Sequence, residues 1–219
     1  MRDFVVHSIP GSPYGRAVLV ALEEKGVAYR FAALTPGDHR GAAHLAKHPF
    51  GRVPVLEHGD FTLYETAAIL RYLDRIFTEP ALTPAGAREA ARMDQLMNIC
   101  DWYFFQGVGN VIAFERVVGP ALRGTTPDEA KIAAAMPRAR LVFGELARLL
   151  GENPYLCGSE MTLADVMLAP HVDFFVAIPE WEELAGGYAH LQAWQARMNA
   201  RASMRATTWG KLREIAQAA

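Results

Sequence analysis

At 219 residues the chain can bury a sizeable core and fits one large domain or two small ones. Apolar residues make up 51% and charged residues 21%, which excludes a disordered chain. A net charge of −2 gives no excess of positive charge for nucleic acid or an anionic membrane.

Phe4-Val5-Val6 reads as a short buried strand, and Ser8-Ile9-Pro10-Gly11-Ser12-Pro13-Tyr14-Gly15 after it is rich in turn formers. Arg16 to Lys25 has helical spacing through Val18, Leu19 and Leu22, with Gly26 placed to end it. Tyr29–Leu34 alternates as a second strand, Val53–Leu56 is a third and Phe61–Leu63 a fourth. Helices are expected at about 41–47 and 66–77. This order predicts a mixed four-stranded sheet covered by helices, an α/β domain spanning 1–78. Pro54, near the start of the third strand, offers no ladder donor, so that strand lies at an edge or the Val53–Pro54 bond is unusual.

Residues 79–86 carry two prolines and no period, and mark a linker. From 87 to 219 no segment reads as strand, and an all-α domain is expected. Ala87–Val118 is one long amphipathic pattern bent near Gly107-Val108-Gly109, and Gly119-Pro120 breaks it. Thr126-Pro127-Asp128-Glu129 reads as a capping box opening a helix to about Leu150, and Thr162-Leu163-Ala164-Asp165 as a second. The segment Val166–Ile178 is apolar nearly all round, as a buried central helix should be. Helices at about 188–200 and 203–217 complete the chain.

Three stretches carry chemistry. In Ser12-Pro13-Tyr14-Gly15 a hydroxyl stands at a helix N-terminus, where it can donate to an anion such as a thiolate. Ser8 and Tyr14 are the neighbouring hydroxyls that could serve instead, and Ser12 could also be a simple N-cap. The run Pro49-Phe50-Gly51-Arg52-Val53-Pro54-Val55-Leu56 would, with a cis Val53–Pro54 bond, turn the Val53 main chain toward an extended peptide. Glu65 and Thr66 open a helix whose N–H groups suit a carboxylate, while the Glu65 side chain suits an ammonium. His44, His48 and His58 have no metal-ligand spacing and read as surface or core residues, and Arg16 as solvated or structural. The stripe Asp101-Trp102-Tyr103-Phe104-Phe105 reads as core or as one wall of a pocket.

The Val53-Pro54 element followed by Glu65-Thr66 resembles the glutathione S-transferase superfamily, in its bacterial serine-type, phi/zeta/theta-like branch. The resemblance implies a thioredoxin-like first domain whose Cys-x-x-Cys position is taken here by Ser12-Pro13-Tyr14-Gly15, so no disulfide can cycle there. It implies Ser12 as the catalytic serine; the tyrosine-type mechanism is not expected, because Val5, Val6 and His7 stand where such a Tyr would lie. It further implies that glutathione, the co-substrate, lies along Val53 and Pro54. The γ-glutamyl end would meet Glu65 and Thr66, the glycine end His39 and Arg40, with Arg52 in reach. Tyr14 and Tyr103 are implied on the side of the electrophile, a small and mostly apolar substrate. Isomerisation, dehalogenation or ether cleavage with glutathione, or ligand binding without catalysis, would use the same site. The resemblance also implies a homodimer and no metal. Cys100 and Cys157 lie far apart without metal spacing, no apolar run approaches ~20 residues, and Arg2-Asp3 lead into only a few apolar residues. The expectation is a cytoplasmic protein with neither nucleic acid nor membrane as partner.

Overall fold

A computed structural model of the chain describes residues 4–218. It divides into two compact units, one of residues up to Leu82 together with those from Ala200 on, the other Thr83–Asn199. In the first unit β1 (Phe4–Ser8), α1 (Pro13–Glu24) and β2 (Tyr29–Ala33) form a parallel βαβ crossover. A 3₁₀ turn at Asp38–Arg40 and the short α2 (Ala42–Leu45) lead to the antiparallel hairpin β3 (Val55–His58) and β4 (Phe61–Tyr64), then to α3 (Thr66–Ile76). The sheet is mixed, in the order β2-β1-β3-β4. Its centre is Val6, in register with Phe31 on one side and Leu56 on the other and wholly buried. Val18, Leu19 and Leu22 of α1 and Ile69, Leu70 and Leu73 of α3 complete that core, as their three-and-four spacing requires.

The third strand is not an edge. β3 pairs with both β1 and β4, and its ladder begins at Val55, two residues later than expected. Pro54 stands just before the ladder, where its missing N–H is not needed, and the Val53–Pro54 bond is cis.

The second unit is helical. Its elements are α4 (Ala87–Ile99), helical turns over Cys100–Val118, α5 (Gly119–Arg123), α6 (Glu129–Leu150), α7 (Leu163–Val176), α8 (Glu180–Ala185) and α9 (Ala189–Asn199). The long pattern breaks at Gln106 and Gly107, where Gly107 takes φ 87°. At the break the Gly107 N–H turns to Asn110 Oδ1 (2.7 Å), and the Trp102 and Tyr103 carbonyls before it meet a side chain. That side chain is Arg138 of α6, its Nη2 donating to Trp102 O (2.9 Å) and its Nε to Tyr103 O (3.4 Å). Gly119-Pro120 does not end the helical path but opens α5, because proline is tolerated in a first turn; Gly124 in the left-handed region ends it. The start of α6 also differs from the expected box. Asp128 is the N-cap, its Oδ1 accepting from Ala130 and Lys131 N–H (both 3.1 Å). Glu129 is instead bound by Arg116, whose Nη2 lies 2.8 Å from its Oε2 while Nε donates to Glu180 Oε1 at 2.9 Å. The Thr162/Asp165 box is present at α7, and the fully buried Asp165 also accepts from Leu156 N–H and the Trp194 indole (both 2.8 Å). All residues of α7 from Leu163 to Val172 are buried. Among the described residues of this unit the nearest approach to a strand is one isolated bridge, Tyr155 with Gly158.

The last helices, α10 (Ala202–Ala206) and α11 (Trp209–Ala218), group with the first unit rather than with a helical domain of 87–219. They are held there by buried residues, Met204 and Leu212 among them, and by polar contacts to α1. Arg201 grips both oxygens of Glu24 (2.6 and 2.7 Å), and buried Arg16 donates through Nη2 to Met204 O (3.0 Å), which makes Arg16 structural.

His171, inside α7, donates from Nδ1 to Met167 O (2.8 Å) and is met edge-on by Phe104 and Phe105. Burial lowers its pKa from 6.5 to about 4. As the pH falls, the unfolded chain takes up this proton before the folded one does. The neutral ring therefore supports the fold fully above about pH 6.5, and that support is lost progressively toward pH 4. Denaturant unfolding should show roughly 3 kcal/mol lost from this group over that range. His171→Asn, which keeps a donor and cannot titrate, should show a flatter pH profile; an unchanged profile would contradict the assignment.

Candidate functional site

The sheet register brings the chemistry-bearing segments to one end of the first unit. β1 ends at Ser8, opposite Ala33 at the end of β2; Val55, which opens β3, pairs with His7 and with Tyr64 at the end of β4. The turn to Ser12, the loop to His39 and Arg40, the approach through Arg52 and Val53, and Glu65-Thr66 therefore all leave or enter the sheet on that side.

Ser12 is the N-cap of α1, with extended backbone (φ −72°, ψ 118°) and Pro13 at the first helical position. Its Oγ accepts the Gly15 N–H at 3.2 Å. A hydroxyl that accepts in this way keeps its own hydrogen. The cap and a hydrogen bond donated to an anion are thus compatible roles for one atom. Ser12 is half-buried, whereas Ser8 is 1% exposed, its Oγ making no hydrogen bond among the described residues. Ser8 fills the space a side chain at Gly15 would need: a Cβ there would stand 2.0 Å from Ser8 Oγ. Tyr14 sits half-buried in the same first turn.

Around Val53 the loop is built on two histidines. His44 of α2 is 5% exposed, and its Nε2 lies 2.7 Å from the carbonyl of Arg52, the residue before Val53. His48, 2% exposed, stacks on Tyr64 (4.5 Å between centroids) and meets Phe50 edge-on (6.1 Å). Burial lowers its pKa, with the Glu65 carboxylate opposing. His58 is bound through Nδ1 to the Tyr72 hydroxyl (2.8 Å) and stacks on Phe4. Sequence alone left open whether these rings were surface or core.

Glu65 has φ 72°, a left-handed backbone on a residue with a full side chain. Such a conformation costs of the order of 1–3 kcal/mol, and outliers of this kind cluster at functional sites. It leaves the Glu65 side chain exposed and uninvolved in capping α3, while its carbonyl accepts the Ile69 N–H (2.9 Å). Thr66 is buried at the first position of α3.

His39 and Arg40 fall in the 3₁₀ turn, pinned by Asp38, which accepts from Thr35 N–H (2.9 Å) and its hydroxyl (2.6 Å). The His39 carbonyl packs 3.2 Å from where a Cβ on Gly51 would be, so this turn lies against the Phe50–Val53 segment. Burial and then the neighbouring Arg40 guanidinium lower the His39 pKa, with Asp38 opposing. Arg40 and Arg52 are both exposed. In the second unit, Tyr103 is 56% exposed, with the Arg138 guanidinium 5.9 Å from its ring centroid, while its neighbour Phe104 is core.

Two family models match: "Glutathione S-transferase, N-terminal domain" over residues 6–81 and "Glutathione S-transferase, C-terminal domain" over 129–197. Glutathione S-transferase F7 of Arabidopsis thaliana is 30% identical over 207 residues, covering 93% of this chain and 98% of its own. The crystal structure of glutathione transferase F7 from Populus trichocarpa superposes with a TM-score of 0.83 at 25% identity, covering 97% and 98% of the two chains. A theta class glutathione S-transferase from Xanthomonas axonopodis pv. citri, with glutathione bound, matches at a TM-score of 0.81 and 29% identity over 95% and 98%.

The Ser8–Gly15 contact yields a compensation test. Gly15→Ala should destabilise the first unit by about 1–3 kcal/mol, since both Ser8 Oγ and Cβ stand in the way. Ser8→Gly in the same chain should restore most of the loss, as read from denaturation midpoints. Equal destabilisation in the single and double variants would refute the clash.

Proposed function

Because the chain belongs to the glutathione S-transferase family and is a glutathione transferase, we propose that its first unit binds glutathione at the end of the sheet where Ser12, Val53 and Glu65 converge, and that Ser12 holds the sulfur as thiolate. The observation that carries this reading is the Ser12 cap, which uses only an acceptor lone pair of the hydroxyl and leaves its hydrogen to donate. Half-exposed Ser12 is favoured over Ser8, which is enclosed beneath Gly15.

The energetics are adequate. A free thiol titrates near 8.5, and lowering it by about two units takes roughly 2.7 kcal/mol. A hydrogen bond to a charged group contributes ~1.5–3 kcal/mol. The N-terminus of α1, a twelve-residue helix, adds ~0.3–1 kcal/mol. In this reading the Val53 main chain meets the extended tripeptide, with cis Pro54 beside it. The α-carboxylate rests on the N–H groups and hydroxyl at Thr66, and the exposed Glu65 carboxylate takes the ammonium. The glycine carboxylate meets the His39 imidazole and the Arg40 guanidinium, with Arg52 exposed nearby in sequence. The thiolate then attacks a soft electrophilic carbon, forming the C–S bond as the leaving group departs with its electron pair; at an activated double bond the displaced π pair instead takes a proton from water. Tyr14, in the first turn after Ser12, is our candidate on the electrophile side of the first unit. Exposed Tyr103 offers an aromatic face suited to an apolar acceptor in the second. We read the enzyme as a cytoplasmic homodimer; its two cysteines are unpaired, and no helix among the described residues is long and apolar enough to cross a membrane.

Ultraviolet titration of the glutathione complex should show a thiol pKa well below ~8.5 in the wild type and a return toward that value in Ser12→Ala. Turnover should fall ~10- to 1000-fold in that variant with affinity little changed; an unaltered thiolate signal removes Ser12 from the mechanism. Glu65→Ala should raise the glutathione KM roughly 10- to 100-fold with a smaller effect on kcat. Wild-type affinity in that variant would exclude the γ-glutamyl site.

A further inference from the structure

The buried His44 ring touches the proposed peptide-binding segment, and neither thiolate formation nor either end of glutathione uses it. Its Nε2 stands 2.7 Å from the Arg52 carbonyl, and since a carbonyl can only accept, Nε2 carries the hydrogen and donates. The Arg52–Val53 bond is not among the cis peptides, so the carbonyl of Arg52 and the N–H of Val53 belong to one planar unit and point in opposite directions. Fixing the carbonyl on the buried ring therefore fixes the N–H on the other side, away from that ring. The Val53 N–H takes no part in the β3 ladder, which begins at Val55.

We infer that His44 is a positioning residue for glutathione: its hydrogen bond to the Arg52 carbonyl sets the direction in which Val53 presents its N–H to the tripeptide. The inference rests on the reading that glutathione lies along Val53. His44 is held for this task from both ends of its short helix. Its own N–H bonds to the Gly41 carbonyl (3.0 Å), its carbonyl accepts from Lys47 N–H (2.9 Å) and His48 N–H (2.9 Å), and its ring lies 6.2 Å from that of His48, which is itself stacked on Tyr64. The ring thus links α2, the Arg52–Val53 peptide and the end of β4, three pieces of chain that share no continuous secondary structure.

Replacement by phenylalanine keeps a ring in the buried site but removes the donor, leaving the Arg52 carbonyl without its partner and the peptide plane free to turn. Replacement by glutamine places an amide nitrogen at the reach of Nε2. His44→Phe should therefore raise the glutathione KM about tenfold with kcat at saturation within about twofold and the electrophile KM unchanged. His44→Gln should recover most of the affinity. A general loosening of the fold would instead lower the active fraction, and so kcat, without this split. Amide exchange of Val53 separates this inference from the reading beneath it. Protection of the wild-type Val53 amide by glutathione supports a ligand along Val53, and absence of protection overturns that reading and the inference together. Protection in the wild type with an unchanged glutathione KM in His44→Phe overturns the role of His44 alone, as would equal KM increases in the phenylalanine and glutamine variants.

Discussion

Val55 is the residue on which the site depends. It is paired on one side with His7 and on the other with Tyr64, so its position in the ladder sets the relative heights of three chain ends at once. A slip of one residue in either pairing would turn Val55 and Leu56, both buried, to opposite faces. It would also separate the turn after β1 from the start of α3. The burial of Val6 between Phe31 and Leu56 holds the register against that slip. Hydrophobic packing within the sheet thus determines where a serine, a main-chain edge and a carboxylate meet.

Around this rigid centre the site is made of locally unfavourable choices. Glu65 adopts a backbone that glycine would take more readily, and His48 is an imidazole buried against aromatic rings with one nitrogen making no hydrogen bond among the described residues. Each is tolerable because adjoining structure over-determines it. The Glu65 carbonyl is committed to the first turn of α3, and His48 is held between Tyr64 and Phe50. Strained and enclosed polar groups thus concentrate at one end of a well-packed sheet, the pattern expected of functional sites in general.

What was legible in the sequence was what local chemistry decides. Ser12 before Pro13, and Thr162 three residues ahead of Asp165, announce helix starts because a cap needs only its own first turn. The bend at Gly107 was visible for the same reason. The start of α6 was misplaced because Thr126 and Asp128 are both capping residue types; the choice fell to Arg116, distant in sequence, which claims Glu129. The interior position of β3 and the buried state of His44 depend on which strands pair and what covers them, and no short-range pattern encodes either. The left-handed Glu65 lay beyond reach because glutamate gives no warning of positive φ.

The grouping of the last helices with the first unit has a consequence for how the molecule is made. Glu24 and Arg16 lie on a helix translated early, yet the groups that neutralise and cover them, Arg201 and the Met204 carbonyl, follow 177 and 188 residues later. While the intervening helical unit is emerging from the ribosome, α1 carries a carboxylate and a guanidinium without their final partners, and Gly11 lacks the Trp209 indole that later lies against it. A nascent chain stopped before residue 200 therefore contains the segments around Ser12, Val53 and Glu65 while α1 still lacks Arg201 and Gly11 still lacks its indole.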